Sequence, residues 1–410
     1  MAHYPGTSLA DALTSGAVSP AIDDASPGLY GDTRGVRFDA IHGVIHEHQV
    51  PLQAIEALDR LHGSLYASYR HFRLCDSEGL PPHTWMGYRQ GEIMGALLFR
   101  VESGRVRVLT EMFRLDEAVA GAFCRDVFAR YRQPATIRFN AVSLSARPST
   151  LPCQYFVFSE NYVLDLPASV DQYEQALGKS TRKTLRGYGN RLLRDHPSFD
   201  WRSFPASELS RTELRAVVRQ LQEFKRASMA ERGRQAQRDV RETARLLELA
   251  RDCGMLGLGT IDGKLCAGSL ACRIGDNYVM LLSASDPAFS AYRLGLLACY
   301  WSICDCLQQG ARQCHLLWGR YRYKEQLLAV PAPLSQLQVY RSRWHMLLSP
   351  LSVMLMTGRG MRHRLRAWVM NEWPSWRDQL PAPLRALIKN LRKSLRSNRS
   401  LPVNPSRIAD

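Results

Sequence analysis

The sequence predicts an α+β protein in which a unit of antiparallel strands, a helix and a further strand is built twice, followed by a basic helical segment. Three observations carry this. Short apolar runs alternate with tight-turn residues, which marks hairpins rather than helices. The same order recurs in the second half, where "IDGKLCAGSLACR" occupies the slot that "RQGEIMGALLFR" fills in the first. The chain has 410 residues with 45% hydrophobic content, which is more than one average core and ordinary for a globular protein.

Residues 1–36 are rich in Gly, Ser, Pro and Asp without a sustained period, and they read as a mobile, disordered tail. The first unit, 37–166, opens with a stretch at helical spacing, "IHEHQVPLQAIEALDRLHGSLYASYRHF". "WMGYRQGEIMGALLFRVESGRVRVLTEMF" then reads as three strands and two turns, "AVAGAFCRDVFARYR" as a helix, and "ATIRFNAVSL" and "CQYFVFSENYVLDLP" as strands. The second unit, 167–343, starts with a basic amphipathic helix carrying Lys179, Arg182, Lys183, Arg186, Arg191 and Arg194 between leucines. Such a run is either a solvated face or a seat for an anion. A long helical stretch follows, then "MLGLGTIDGKLCAGSLACRIGDNYVMLLSAS" as a second meander, a helix from about Leu294 to Gln309 stopped by Gly310, and the strand "CHLLW".

Residues 344–410 change character. Trp344, Trp368, Trp373 and Trp376 stand among many arginines and lysines, and "LRALIKNLRKSL" has one apolar and one cationic face. This pattern predicts contact with an anionic membrane surface through 344–400, or a helix packed on its own domain with its charges in water.

The net charge of +16, with a pI near 9.6, calls for an anionic partner: nucleic acid, anionic lipid or a phosphorylated substrate. No zinc finger or other nucleic-acid motif is present, so a nucleic-acid module ranks last. The ten cysteines form no CxxC or Cys/His ladder, so neither a metal site nor a disulfide scaffold is expected. No signal peptide or spanning segment is read, and the expected location is the cytoplasm, peripheral on the inner membrane through the basic tail.

The stretch "DPAFSAYRLGLLACYW" carries the chemistry. A helix beginning at Gly295 presents free amides and a positive dipole end, the usual seat of a phosphate. The strand before it can align a donor through its main chain from Leu282 through Ser283 to Ser285. Asp286 at its end is the first candidate for a general base and His315 the second, although Asp before Pro is also a common turn residue and a lone His on an apolar strand is often core. In "LLWGRYRYKEQLL" the cluster Trp318, Arg320, Tyr321, Arg322, Tyr323 and Lys324 suits a sugar ring or a phosphate.

The meander, the glycine-initiated helix and the following strand resemble the GNAT superfamily of N-acetyltransferases. The doubled arrangement, with "LGKSTRKTLR" before the second unit and "WGRYRYKEQL" after its last strand, resembles the tandem branch near the FemAB peptidyltransferases, members of which occur in bacterial exopolysaccharide and cellulose production. The resemblance covers roughly residues 40–343. It implies acetyl-CoA as co-substrate, no metal, and a sugar or polysaccharide precursor as acceptor. In that superfamily the turn reads Gln or Arg, two residues, Gly, one residue, then Gly or Ala. Gly295 matches the first glycine, Tyr292 stands in place of the Gln or Arg, and Leu297 in place of the small residue; Arg293 is adjacent and carries a charge. The resemblance implies that Tyr292, Arg293, Leu294, Gly295 and Leu296 hold the pyrophosphate. It also implies that Tyr323 and Lys324 match a Tyr-Lys pair, with Tyr323 as acid for the departing thiolate. Lys179, Arg182, Trp318, Arg320 and Lys324 are the expected substrate contacts. The alternatives are a FemAB-type transferase using aminoacyl-tRNA, and a non-catalytic membrane-associated protein of the envelope or of antimicrobial-peptide resistance. The first unit, whose turn "FRLDEAVAGAF" lacks a glycine directly before its helix, is expected to buttress the second.

Overall fold

The computed structural model describes residues 40–76, 79–144, 151–231 and 240–367. The expected tail over 1–36 and the segment 368–410 lie outside the described residues. The first half runs β1 (His42–His46), α1 (Leu52–His62), α2 (Tyr69–Cys75), β2 (His83–Arg89), β3 (Glu92–Glu102), β4 (Arg105–Val108), β5 (Phe113–Leu115), α3 (Glu117–Arg130), β6 (Thr136–Leu144) and β7 (Cys153–Asp165). The second half runs α4 (Val170–Ala176), α5 (Lys179–Asp195), β8 (Asp200–Pro205), α6 (Arg211–Glu231), α7 (Val240–Cys253), β9 (Gly254–Ile261), β10 (Lys264–Ile274), β11 (Asn277–Ser285), α8 (Leu294–Gln308), β12 (Gln313–Leu317), α9 (Arg322–Gln326) and β13 (Val330–Tyr340). Two helices end the described chain, α10 (Arg343–Leu347) and α11 (Pro350–Ala367).

The opening stretch read as helical begins instead with a strand, β1, paired with β2. Its short apolar alternation, His42 to His46, was hidden by the helical run that follows Pro51. The two hairpins in matching slots turn through Gln90–Gly91 and Asp262–Gly263, each with both residues at positive φ. That geometry matches the twist of the flanking strands, and Asp-Gly favours it.

Among the described residues thirteen strands share one sheet, in the order β1-β2-β3-β4-β6-β13-β7-β12-β11-β10-β9-β8, with β5 added beside β6. The middle of this order exchanges strands between halves. The last strand of the second half, β13, pairs with β6 of the first, and the last strand of the first half, β7, pairs with β12 of the second. β13 and β7 also pair with each other. Each half is therefore completed by the other.

Helix α3 covers the first half through Phe123, whose ring meets Trp85, Phe99 and Phe139 edge-on at 5.4 to 5.7 Å. Helix α8 covers the second through Leu294, Leu297, Cys299 and Ile303, while α6 and α7 cover its other face through Leu214, Val218, Leu221 and Leu247. At Gly63 (φ +52) the end of α1 touches the second half, where a β-carbon would lie 2.3 Å from Asn277 Nδ2. Asn277 donates there to the Gly63 carbonyl at 3.1 Å.

A buried polar group marks the seam between β6 and β13. Gln336 Nε2 donates to Asn140 Oδ1 at 2.9 Å, and Glu111 lies beside Asn140. Burial pushes the Glu111 carboxyl up to about 7, against the lowering pull of Asn140 and Arg107. Its folded-state affinity for a proton exceeds that of the unfolded chain, so the stability it contributes is full below about pH 4.5 and is lost as pH rises through 7. Glu111→Gln should match wild type at pH 5 and be more stable by about 2 kcal/mol at pH 8, measured as urea midpoints. Equal midpoints at pH 8 would show that Glu111 is not buried in charged form.

Candidate active site

In each half a parallel pair of strands opens at one end. β11 pairs with β12 only at Asn277–Gln313, Tyr278–Cys314 and Val279–His315. Beyond that point β11 runs on to Ser285 paired with β10 alone, so its edge from Met280 carries free main-chain groups on the β12 side. In the first half, β4 and β6 pair over Arg105–Arg107 in the same way. There β5 fills the opening, pairing Phe113–Leu115 with Val142–Leu144.

The helix starts differ as sharply. Asp116 caps α3 by accepting from the N–H groups of Ala118 and Val119 at 2.9 and 3.2 Å, and Glu117 follows it. Those carboxylates occupy the place an anion would need. Helix α8 has no side-chain cap, and its preceding residue, Arg293, is left-handed (φ 48, ψ 40). The N–H groups of Leu296 and Leu297 donate to the Arg293 carbonyl at 2.8 and 3.2 Å, which leaves those of Leu294 and Gly295 to a ligand. A β-carbon on Gly295 would meet only Ser285 Oγ, at 3.2 Å, so the helix start approaches the free edge of β11 closely with one small hydroxyl between.

The turn before α8 leans on α5. Tyr292 donates to Asp195 at 3.2 Å, the Arg191 guanidinium stacks 5.3 Å over the Tyr292 ring, and Arg293 stacks 5.4 Å over Tyr188. Tyr292 and Arg293 therefore tie the turn to the basic helix, while Leu294 and Leu297 are buried under it and Leu296 is half-buried. Farther along α5, Lys179, Arg182, Lys183, Arg186 and Gly187 line an open depression of about 430 Å³. Lys179 and Arg182 thus belong to a cationic surface on the same helix that supports the turn.

Asp286 accepts from the N–H of Ala288 at 2.9 Å and so caps the 3₁₀ turn over Pro287–Tyr292. His315 sits on β12, on the face away from α8. Asn161 Nδ2 lies 2.9 Å from its Nδ1, and among the described residues its buried Nε2 has no hydrogen-bond partner. Burial lowers the ring's pKa to about 4, so it is neutral at pH 7. With Asn161 donating, Nε2 carries the proton and offers it to a ligand; with that amide turned over, Nε2 is a proton acceptor.

The exit of β12 is built around Lys324, 2% exposed. Its Nζ donates to the carbonyls of Leu317 at 3.0 Å and Trp318 at 2.8 Å. It also lies 4.9 Å over the Tyr162 ring. Leu317 (φ 57) and Gly319 (φ 97) are left-handed at this exit, a shape those hydrogen bonds hold. Burial brings the ammonium pKa down to about 8. Tyr323 stacks on Tyr321 at 6.0 Å, and burial, with Cys299 of α8 nearby, raises its hydroxyl pKa, so it stays protonated. Arg320 pairs with Glu160 at 2.8 Å, and Trp318 meets Tyr66 edge-on at 5.6 Å.

Tyr323 and Lys324 are thus gathered against α8, whereas Asp286 lies at the start of the turn and His315 on the opposite face. Among the described residues no hydrogen bond joins Asp286, His315 and Tyr323. Sequence reasoning missed Glu160, Asn161 and Tyr162, which the strand exchange delivers from the first half. The signal was the polar run Ser159–Tyr162 inside an otherwise apolar strand.

An opened parallel pair beside an uncapped helix thus stands in the second half, with a filled counterpart in the first. Residues 179–325 match the family model for the acetyltransferase (GNAT) domain, which marks this part of the chain as a GNAT-type acyltransferase domain. The fold of the chain is similar to that of FemX, at 11% identity over 70% of this chain and 96% of that one, with a TM-score of 0.54. Two other solved structures share less of the geometry. The C-terminal domain of a putative lysylphosphatidylglycerol synthetase from Agrobacterium fabrum has 14% identity over 62% of this chain and 83% of that one, TM-score 0.38. A tandem GNAT protein from the clavulanic acid biosynthesis pathway has 11% identity over 72% and 98%, TM-score 0.34. No curated protein sequence matches the chain. Among the described residues no group of three or more His, Cys, Asp or Glu could hold a metal ion, and no helix is long and apolar enough to cross a membrane.

Proposed function

We propose that the protein transfers an acyl group, acetyl in the simplest case, from coenzyme A to an amino or hydroxyl group of a sugar or cell-envelope polysaccharide precursor. The observation that carries this is the opening between β11 and β12 at the uncapped start of α8, with only Ser285 Oγ near Gly295. Acyl-CoA fits it: α8 amides take the pyrophosphate, and the β11 edge from Leu282 through Ser283 to Ser285 pairs with the pantetheine amides. Tyr323, held protonated, is the proposed acid for the thiolate. His315, neutral and with Nε2 unpartnered among the described residues, is favoured over Asp286 for the acceptor proton in the state where the Asn161 amide oxygen accepts from its Nδ1–H, because the Asp286 carboxylate already caps a turn. Trp318, Tyr321 and Arg320 offer the aromatic and cationic surface that a sugar or its phosphate would use. We retain 37–166 as a buttressing domain and 167–343 as the transferase domain, joined by their exchanged strands.

A second reading has support in one observation, the cationic depression on α5. An aminoacyl-tRNA could lie there, as its phosphates would meet a one-signed face. Calorimetry separates the two. Acetyl-CoA should bind with a dissociation constant of about 1–100 μM, with aminoacyl-tRNA failing to compete. No heat with acetyl-CoA, together with tRNA binding that weakens steeply with salt, would replace the first reading by the second.

A further inference from the structure

Among the described residues nothing covers one apolar face of α10 and α11. One side of α11 rests on β7: Met356 is buried, a β-carbon on Gly360 would lie 3.2 Å from the Phe156 Cβ, and Thr357 accepts from Gln154 at 3.3 Å. Ser352 accepts from Gln338 of β13 at 2.7 Å. Ser352, Met356 and Gly360 stand four apart and account for the packed side. The outer side is just as apolar. Leu351, Met354, Leu355 and Met361 are exposed there, and Trp344 (73% exposed), Leu347 and Leu348 (78% exposed) extend the patch. Single exposed leucines are ordinary, but seven large apolar side chains on adjoining turns mark a surface made to be covered.

The charge around the patch identifies the cover. Arg343, Arg359 and Arg362 flank it, all exposed, and the sequence holds no Asp or Glu between Glu325 and Glu372. A second copy meeting this face about a two-fold axis would set the same three arginines against themselves with no carboxylate on α10 or α11 to offset them. An anionic lipid surface supplies that negative charge, and tryptophan at the edge of an apolar face suits the headgroup level. No described helix can span a bilayer, so the face would lie in the plane of the interface.

We propose that α10 and α11 dock the protein on an anionic phospholipid bilayer, with Trp344, Leu347, Leu351 and Met354 entering the headgroup boundary and the three arginines on lipid phosphates. The sequence placed such contact in 344–400; the structure locates an apolar face within residues 344–361. The inference stands apart from the acyl-transfer reaction, since acetyl-CoA binding and lipid binding are read separately.

The test is flotation of the full-length protein with vesicles of phosphatidylcholine alone and of phosphatidylcholine with phosphatidylglycerol. Wild type should float with the anionic vesicles only. The Leu347→Ser/Leu351→Ser/Met354→Ser variant and the Arg343→Glu/Arg359→Glu/Arg362→Glu variant should each lose affinity by about tenfold or more. All six side chains are exposed, so unchanged thermal melting should accompany the loss. Wild type remaining unbound with both vesicles overturns the proposal. So does equal flotation of the serine variant, which would move attachment to residues 368–410. A wild-type dimer in light scattering that the serine variant splits, without flotation, would show that a second copy covers the face.

Discussion

Phenylalanine in place of Gly295 should abolish acetyl-CoA binding and leave the protein folded. A β-carbon at this position meets only Ser285 Oγ at 3.2 Å, so alanine needs a small shift of one hydroxyl. A ring needs far more room, and the space it would take is the opening between α8 and the free edge of β11. The expected loss is about a hundredfold or more for Gly295→Phe, near 3 kcal/mol, and about threefold for Gly295→Ala. Calorimetry reads the affinity and a thermal melt reads the fold. Wild-type affinity in the phenylalanine variant would mean the donor does not sit at this helix start, and the acyl-CoA reading would fail with it.

Lys324→Met should destabilise the protein by about 2 kcal/mol at pH 7 and by more in alkali. The substitution keeps most of the aliphatic stem but leaves the Leu317 and Trp318 carbonyls without their donor, and buried acceptors without partners are costly. Burial holds the lysine pKa near 8 in the folded protein, below its unfolded value of about 10.4. Between those values the unfolded chain binds more protons, so wild type gains stability as pH rises through the window. Methionine has no such gain. The gap should widen by up to about 3 kcal/mol between pH 8 and 10.5, read from urea midpoints of both proteins. A constant gap would show that Lys324 is not held in a desolvated site. Turnover should fall as well, because Lys324 positions the strand exit that carries Trp318, Arg320 and Tyr323.

The meanders were legible because their turns are written locally. Gln90–Gly91 and Asp262–Gly263 announce hairpins whatever the rest of the chain does. The span of α8 was legible for the same reason, with Gly295 at its start and Gly310 at its stop. The exchange of β7 and β13 was not, since pairing between Phe139 and Leu337 depends on two remote strands whose own patterns suit any partner. The candidate site suffered most from this, because Glu160, Asn161 and Tyr162 reach it only through that exchange. Lys324 was read as a substrate contact from a basic turn, and nothing local shows that such a lysine turns inward. The filled opening of the first half was half legible: Asp116 three residues before Val119 is a helix cap by chemistry, whereas β5 is too short to announce itself.

The exchanged strands also bear on how the chain is made. β6 leaves the ribosome with one edge bare, and the strand that covers it, β13, is among the last to be synthesised. β7 waits in the same way for β12. The nascent first half therefore carries open sheet edges until translation has passed residue 340, a long exposure for a surface that templates aggregation. Yield in a foreign host should then depend on chaperone supply and on translation speed through the second half more than on the stability of the finished protein.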